Sequence, residues 1–179
     1  GLNPTYRNVG MSNYIEALTD DPNFLKSIWF TLKFVIYMVI LQNVLAMLLA
    51  VFIESMGRSK AWFRTIFFMP NMISLIIGGF MWLFIFTKVL AYIAEHTVLS
   101  FLDRSWIGDP TYSFYSILIL SLWGGVGYLM VIFIAALQGV PTHLKEAAAI
   151  DGANPVQIFR NVTLPMIYPA LTIGIFLTL

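Results

Sequence analysis

At 179 residues, with 59% hydrophobic and 11% charged residues and a mean hydropathy of +0.83, the chain is too apolar for an ordinary soluble domain and reads as a protein whose solvent is lipid. A formal net charge of +1 without a polybasic arm gives no nucleic-acid signal, so only the placement of the charges is informative. Zero cysteines exclude disulfides, thiolate nucleophiles and cysteine metal sites, and His96 and His143 lie far apart with no ligand spacing, so no metal site is expected.

Residues 1–27 mix turn formers with charge (Asn3-Pro4, Asp20-Asp21-Pro22) and read as an extracytoplasmic segment with one short helix around residues 13–18. A first span follows over about residues 28–53. Its only charge, Lys33, lies near one end, where a long stem can carry the ammonium to the interface and avoid a midplane cost of about 2.5–3.5 kcal/mol. The second span, about 62–86, has Arg64 at its entrance and Lys88 just past its exit, and residues 89–102 beyond it suggest an interfacial helix. The third, about 112–137, carries no charge. The fourth, 164–179, would make a helix of about 24 Å against a hydrocarbon core of about 30 Å and reads as truncated, so the chain is expected to be one membrane domain of a longer protein. Trp29, Trp62, Tyr112 and Tyr115 near span ends fit an aromatic belt at the headgroups. Strand-like alternation is absent, and an open sheet edge could not satisfy its backbone in hydrocarbon, so the spans are helices.

Arg58, Lys60 and Arg64 cluster against Glu54 in the first connection, which the positive-inside rule places in the cytoplasm. The charge-mixed connection from 87 to 110 then lies outside, and one more crossing returns residues 138–163 to the cytoplasm. There the sequence reads as a knuckle. Pro141-Thr142 can start a helix, residues 144–150 are rich in alanine, and Gly152 can turn left-handed at the helix end. Asn154 with Pro155 can cap a second short helix, which Leu164-Pro165 leads into the last span. The alanines leave part of the first helix without bulk, so a partner surface can approach its backbone.

Glu146-Ala147-Ala148, then Asp151-Gly152-Ala153, then Val162 with Leu164-Pro165 resemble the EAA loop of the permease subunits of binding-protein-dependent ABC importers, Val162 standing where isoleucine is usual. The resemblance to the sugar-type permeases extends to Asn13-Tyr14, Phe24, Arg64, Met69-Pro70, the run from Trp106 to Pro110, and Gln138-Gly139-Val140-Pro141, so it covers nearly the whole chain. It implies an all-α polytopic membrane protein with the ABC type I importer permease fold, a bundle of transmembrane helices carrying a short cytoplasmic coupling helix, in a bacterial or archaeal plasma (inner) membrane. It further implies Glu146, Ala147, Ala148, Asp151 and Gly152 as the ATPase-coupling residues. The implied partners are a second permease subunit, two cytoplasmic ATPase subunits and an extracytoplasmic solute-binding protein, within membrane lipid. No phosphate-cradling G-x-x-x-x-G-K-S/T stretch occurs, so no enzyme activity and no cofactor are expected here, with ATP and magnesium belonging to the partner ATPase.

Two polar stripes interrupt the spans. Ser121, Gly125 and Tyr128 share one helix face, and Asn71, Ser74 and Gly78 share another just after Pro70. Intramembrane polar groups face a bundle interior or a wet cavity, which makes Asn71, Ser74, Ser121, Gly125 and Tyr128 candidates for a solute path, while close helix packing is the competing account of the small residues. Gln42 and Asn43 adjoin no stripe and read as interhelical hydrogen-bond partners. Uncharged hydroxyls, amides and aromatic faces suit a neutral, carbohydrate-like solute. An importer for amino acids, peptides, osmolytes or oxyanions is the alternative, and a secondary transporter would want an ionisable relay that the spans lack.

Overall fold

The computed structural model describes residues 10–179, so the Asn3-Pro4 turn lies outside the described residues. Residues up to Ile36 group as one unit and Tyr37–Leu179 as another. In the first, α1 (Ser12–Thr19) is the short helix expected around 13–18, and Asp21 starts α2 by accepting from the Asn23 and Phe24 amides at 2.8 and 3.3 Å. That cap answers two of the amides a helix start leaves open. Helix α2 (Pro22–Ser55) is longer at both ends than the expected span, because nothing between Pro22 and Ser55 breaks it.

The second unit is built on α6 (Pro110–Gln138). Pro110 occupies its first position and Asp109 caps it through the Thr111 and Tyr112 amides at 2.8 and 3.3 Å. Its residues Leu129, Met130, Phe133 and Ile134 join Ala46, Ala50 and Ile53 of α2, with Val140 and Ile167, in one buried cluster. Leu129, Met130, Phe133 and Ile134 recur at helical spacing, so one stripe of α6 faces this core. In lipid the gain comes from close van der Waals packing and not from leaving water, which is why alanines sit at 0% exposure beside Phe133.

The second crossing departs from the uninterrupted span over about 62–86. It consists of α3 (Lys60–Phe68), a 3-10 turn (Met69–Met72), and α4 (Leu75–Phe84), with Ile73 and Ser74 extended between them. Pro70 brings a ring and no N–H, so the turn tightens there and the chain restarts at Leu75. From Leu75 the helix runs on through a π turn (Ile85–Val89) and α5 (Leu90–His96), and it is this 22-residue stretch that is long and apolar enough to cross a membrane by itself. The expected interfacial helix over 89–102 is thereby corrected: its first half continues the span, because no breaker lies before His96, and only Ser100–Leu102 forms a separate 3-10 turn.

Beyond the knuckle the last crossing is bent. Helix α8 (Pro155–Ile158) passes through a second π turn (Phe159–Thr163) into α9 (Leu164–Met166), and α10 (Tyr168–Thr178) leaves at 66°. Leu164 therefore marks no break. The bend falls at Ile167, since Pro169 has no N–H to continue the helix from Pro165 and sits instead in the first turn of α10, where none is needed.

Candidate functional site

The knuckle is a short helix reversed by local hydrogen bonds. After α6 the chain turns through Gly139, and Val140, 5% exposed, pins the turn to the core before α7 (Thr142–Ile150). At the end of α7 the Gly152 amide donates to the Ala149 carbonyl at 3.1 Å and the Ala153 amide to Ala148 at 3.0 Å. With Gly152 at φ 85°, this is a Schellman closure that a side chain would strain. Two residues on, Asn154 and Gln157 form a reciprocal capping box: the Gln157 amide donates to Asn154 Oδ1 at 2.9 Å and the Asn154 amide to Gln157 Oε1 at 2.8 Å. Both sides of the bend are thus fixed by satisfied backbone groups.

On this frame Glu146, Ala147, Asp151 and Gly152 are exposed and Ala148 is half-buried. Ile150 and Val156 stand out at 86% and 74% exposure, flanking the bend with apolar bulk in a polar loop. Sequence reasoning passed over both, although an isoleucine and a valine among capping residues were the signal. Among the described residues no cluster of three metal-ligating side chains occurs. What the arrangement can do is present a stiff, small-residue surface for contact.

Beneath the knuckle lies a seat that the sequence did not announce. Glu54, at the end of α2, takes Lys60 Nζ on Oε1 at 3.2 Å and Gln138 Nε2 on Oε2 at 3.1 Å, joining the ends of α2 and α6 to the start of α3. Beside it a groove of about 420 Å³ separates these ends from α7 and α8, with Glu54 and Lys145 among its lining residues.

Of the two expected polar stripes, only that of Ser121, Gly125 and Tyr128 lies on one helix. The break after Pro70 puts Asn71 in the 3-10 turn, Ser74 in the extended link and Gly78 in α4, so the second expected stripe does not form one helix face. Asn71 donates from Nδ2 to the Gly124 carbonyl at 3.3 Å, so the 3-10 turn is tied to α6. Ser74 is exposed and its side chain caps nothing, Ser121 is half-buried, and Tyr128 is 43% exposed. Gly125 lies against a side chain: a Cβ there would be 2.6 Å from Gln42 Nε2. Gly127 lies against backbone, at Phe67 and Phe68. Asn43 acts between helices, donating from Nδ2 to Thr178 Oγ1 at 3.2 Å, and Thr178 donates on to the Gly174 carbonyl at 2.7 Å. Oδ1 of Asn43 is buried without a partner.

Among the described residues the fold is helical and polytopic, with a locked knuckle between two apolar crossings. The chain belongs to the family of binding-protein-dependent transport system inner membrane components, whose pattern matches residues 42–179, and is a multi-pass inner-membrane protein. It is 39% identical over 171 residues to the probable starch degradation products transport system permease AmyD of Thermoanaerobacterium thermosulfurigenes, covering 96% of this chain and 58% of that one. It is 32% identical over 174 residues to the arabinooligosaccharides transport system permease AraP of Bacillus subtilis, covering 93% and 55%. The fold matches the crystal structure of a bacterial ABC transporter involved in the import of the acidic polysaccharide alginate with a TM-score of 0.84 at 20% identity, over 97% of this chain and 62% of that one. The chain therefore spans less than two thirds of each of these proteins.

Proposed function

We propose that the chain supplies spans of the permease subunit of an ABC importer for a carbohydrate-like solute, and that the knuckle couples it to a cytoplasmic ATPase. The observation that carries this reading is the knuckle itself, where a Schellman closure and a capping box immobilise a bend that exposes Glu146, Ala147, Asp151 and Gly152. Ala147 and Ala148 admit a partner close to the α7 backbone, Glu146 offers a carboxylate for a basic partner, and Ile150 and Val156 offer apolar anchors. Closure of two ATPase subunits around ATP and magnesium would move α7 as a lever, and α6 on one side and α8 to α10 on the other would carry the motion to the spans. In this assembly a second permease completes the path and an extracytoplasmic binding protein delivers the solute. Asn71, Ser74, Ser121, Gly125 and Tyr128 are the proposed path residues, uncharged groups suited to polyol hydrogen bonding and ring contact.

The test is Glu146→Lys in the assembled full-length complex. Solute-stimulated ATP hydrolysis should be abolished while membrane insertion is retained, and unchanged stimulation would refute the coupling role. An anionic solute is the second reading, favoured by 32% identity over 163 residues to the sn-glycerol-3-phosphate transport system permease UgpA of Yersinia enterocolitica. Thermal shift of the cognate binding protein separates the two: stabilisation by neutral sugars supports the first, and stabilisation by charged ligands alone overturns it.

A further inference from the structure

Glu54 has no part in the contact surface just described, yet it sits at the junction that surface pushes against. Its side chain is 29% exposed, each of its oxygens already holds one donor, and those donors come from two other elements, Lys60 of α3 and Gln138 at the end of α6. A carboxylate offers about four acceptor positions, so Glu54 can take a further donor without releasing these two. The cation that shares the groove is Lys145, which α7 carries one residue before Glu146. Most of the remaining lining is apolar, including Val51, Leu137, Ile158 and Phe159. Narrowing such a groove excludes water and strengthens whatever charge interaction it encloses.

We infer that Glu54 is a positioning residue of the coupling stroke: it holds three helix ends in one seat and receives Lys145 when the knuckle is pressed toward the spans. This rests on the coupling reading above. Without the Glu54 charge, Lys60 and Lys145 would meet across a closing groove as like charges, and the knuckle would be pushed off its seat. The role differs from a static brace, because a brace needs only Lys60 and Gln138.

The experiment uses the full-length complex in liposomes with its binding protein, and reads solute transported per ATP hydrolysed. Glu54→Gln keeps the shape and removes the charge, and should lower the ratio about fivefold, the scale of a partly exposed ion pair. Lys145→Gln should do the same, the double variant should be no worse than either single one, and Glu54→Asp should recover most of the loss. Additive losses, or an unchanged ratio in Glu54→Gln, overturn the inference, as does a lowered unfolding midpoint with the ratio intact. A second readout needs no change at Glu54. With any other cysteines of the full-length complex replaced, the pair Ser55→Cys and Ile158→Cys, both on the groove, can be cross-linked in this subunit. Faster cross-linking with a non-hydrolysable ATP analogue supports closure, and equal rates overturn it. If Glu146→Lys uncouples and Glu54→Gln does not, only this inference falls; if Glu146→Lys fails to uncouple, the coupling reading falls with it.

Discussion

Gly127 and Gly124 are three residues apart on α6, and the structure gives them opposite tolerances. A Cβ at Gly127 would stand 3.0 Å from the Phe67 carbonyl carbon and 3.0 Å from Phe68 Cα, with the Phe67 carbonyl oxygen closer still. At Gly124 nothing lies within 4 Å, and its tie to Asn71 uses the backbone carbonyl, which a methyl group leaves in place. Alanine gains about 1 kcal/mol over glycine in a helix interior at either position. At Gly127 the obstacle is backbone at the end of α3, so the 3-10 turn that follows must move with it, and overpacking of this kind costs about 1–3 kcal/mol. Gly127→Ala should therefore be neutral to about 2 kcal/mol destabilising, and Gly124→Ala up to about 1 kcal/mol stabilising. A difference of up to about 3 kcal/mol, at no more than about 2–4 °C per kcal/mol, should separate the midpoints by up to about 10 °C. Thermal unfolding of the purified full-length protein in one detergent measures this, and a Gly127→Ala midpoint at or above that of Gly124→Ala would refute the close approach of α3 to α6.

Asn154→Ala removes the side-chain half of the capping box and should loosen the start of α8 by about 1 kcal/mol, read as roughly fivefold faster hydrogen exchange at the Gln157 amide. Exchange unchanged there would mean that the bend is held by something other than its cap. Asn43→Ala and Thr178→Val each break the same interhelical hydrogen bond, so a double-mutant cycle on unfolding should return a coupling of about 0.6 kcal/mol. A coupling of zero would remove the link between α2 and α10.

The parts of the fold legible in the sequence are those fixed by neighbours along the chain. Apolar runs announced helices in lipid, and Gly152, Asn154 and Pro155 announced the knuckle because caps and left-handed turns act over a few residues. The Asn43 reading also held, since a buried amide in a helix bundle has few options besides another helix. What could not be read depended on distance in sequence. Glu54 and Gln138 are 84 positions apart, and neither the charged connection that holds Glu54 nor the Gln138-Gly139-Val140-Pro141 run names the other, so only the packing of α2 against α6 reveals that they meet. Nothing in the sequence tells the glycines of α6 apart, whereas Gly127 admits backbone, Gly125 admits the Gln42 side chain and Gly124 admits neither. The split at Pro70 was signalled by proline alone, and where the helix resumed depended on the turn it made with α6.

The π turns at Ile85–Val89 and Phe159–Thr163 each store one residue more than an α-helix needs. Losing that residue would return the segment to a regular α-helix, leaving the rod unbroken and the faces beyond it close to their present orientation, because the wide turn already absorbs the extra residue. In the second crossing Tyr92 and Ala94 would keep roughly their present faces, and in the last Thr178 would keep its side toward Asn43. A one-residue deletion at either place can therefore be absorbed without losing a span or its facing, whereas the same deletion in a regular stretch of these helices would turn everything beyond it by about 100°.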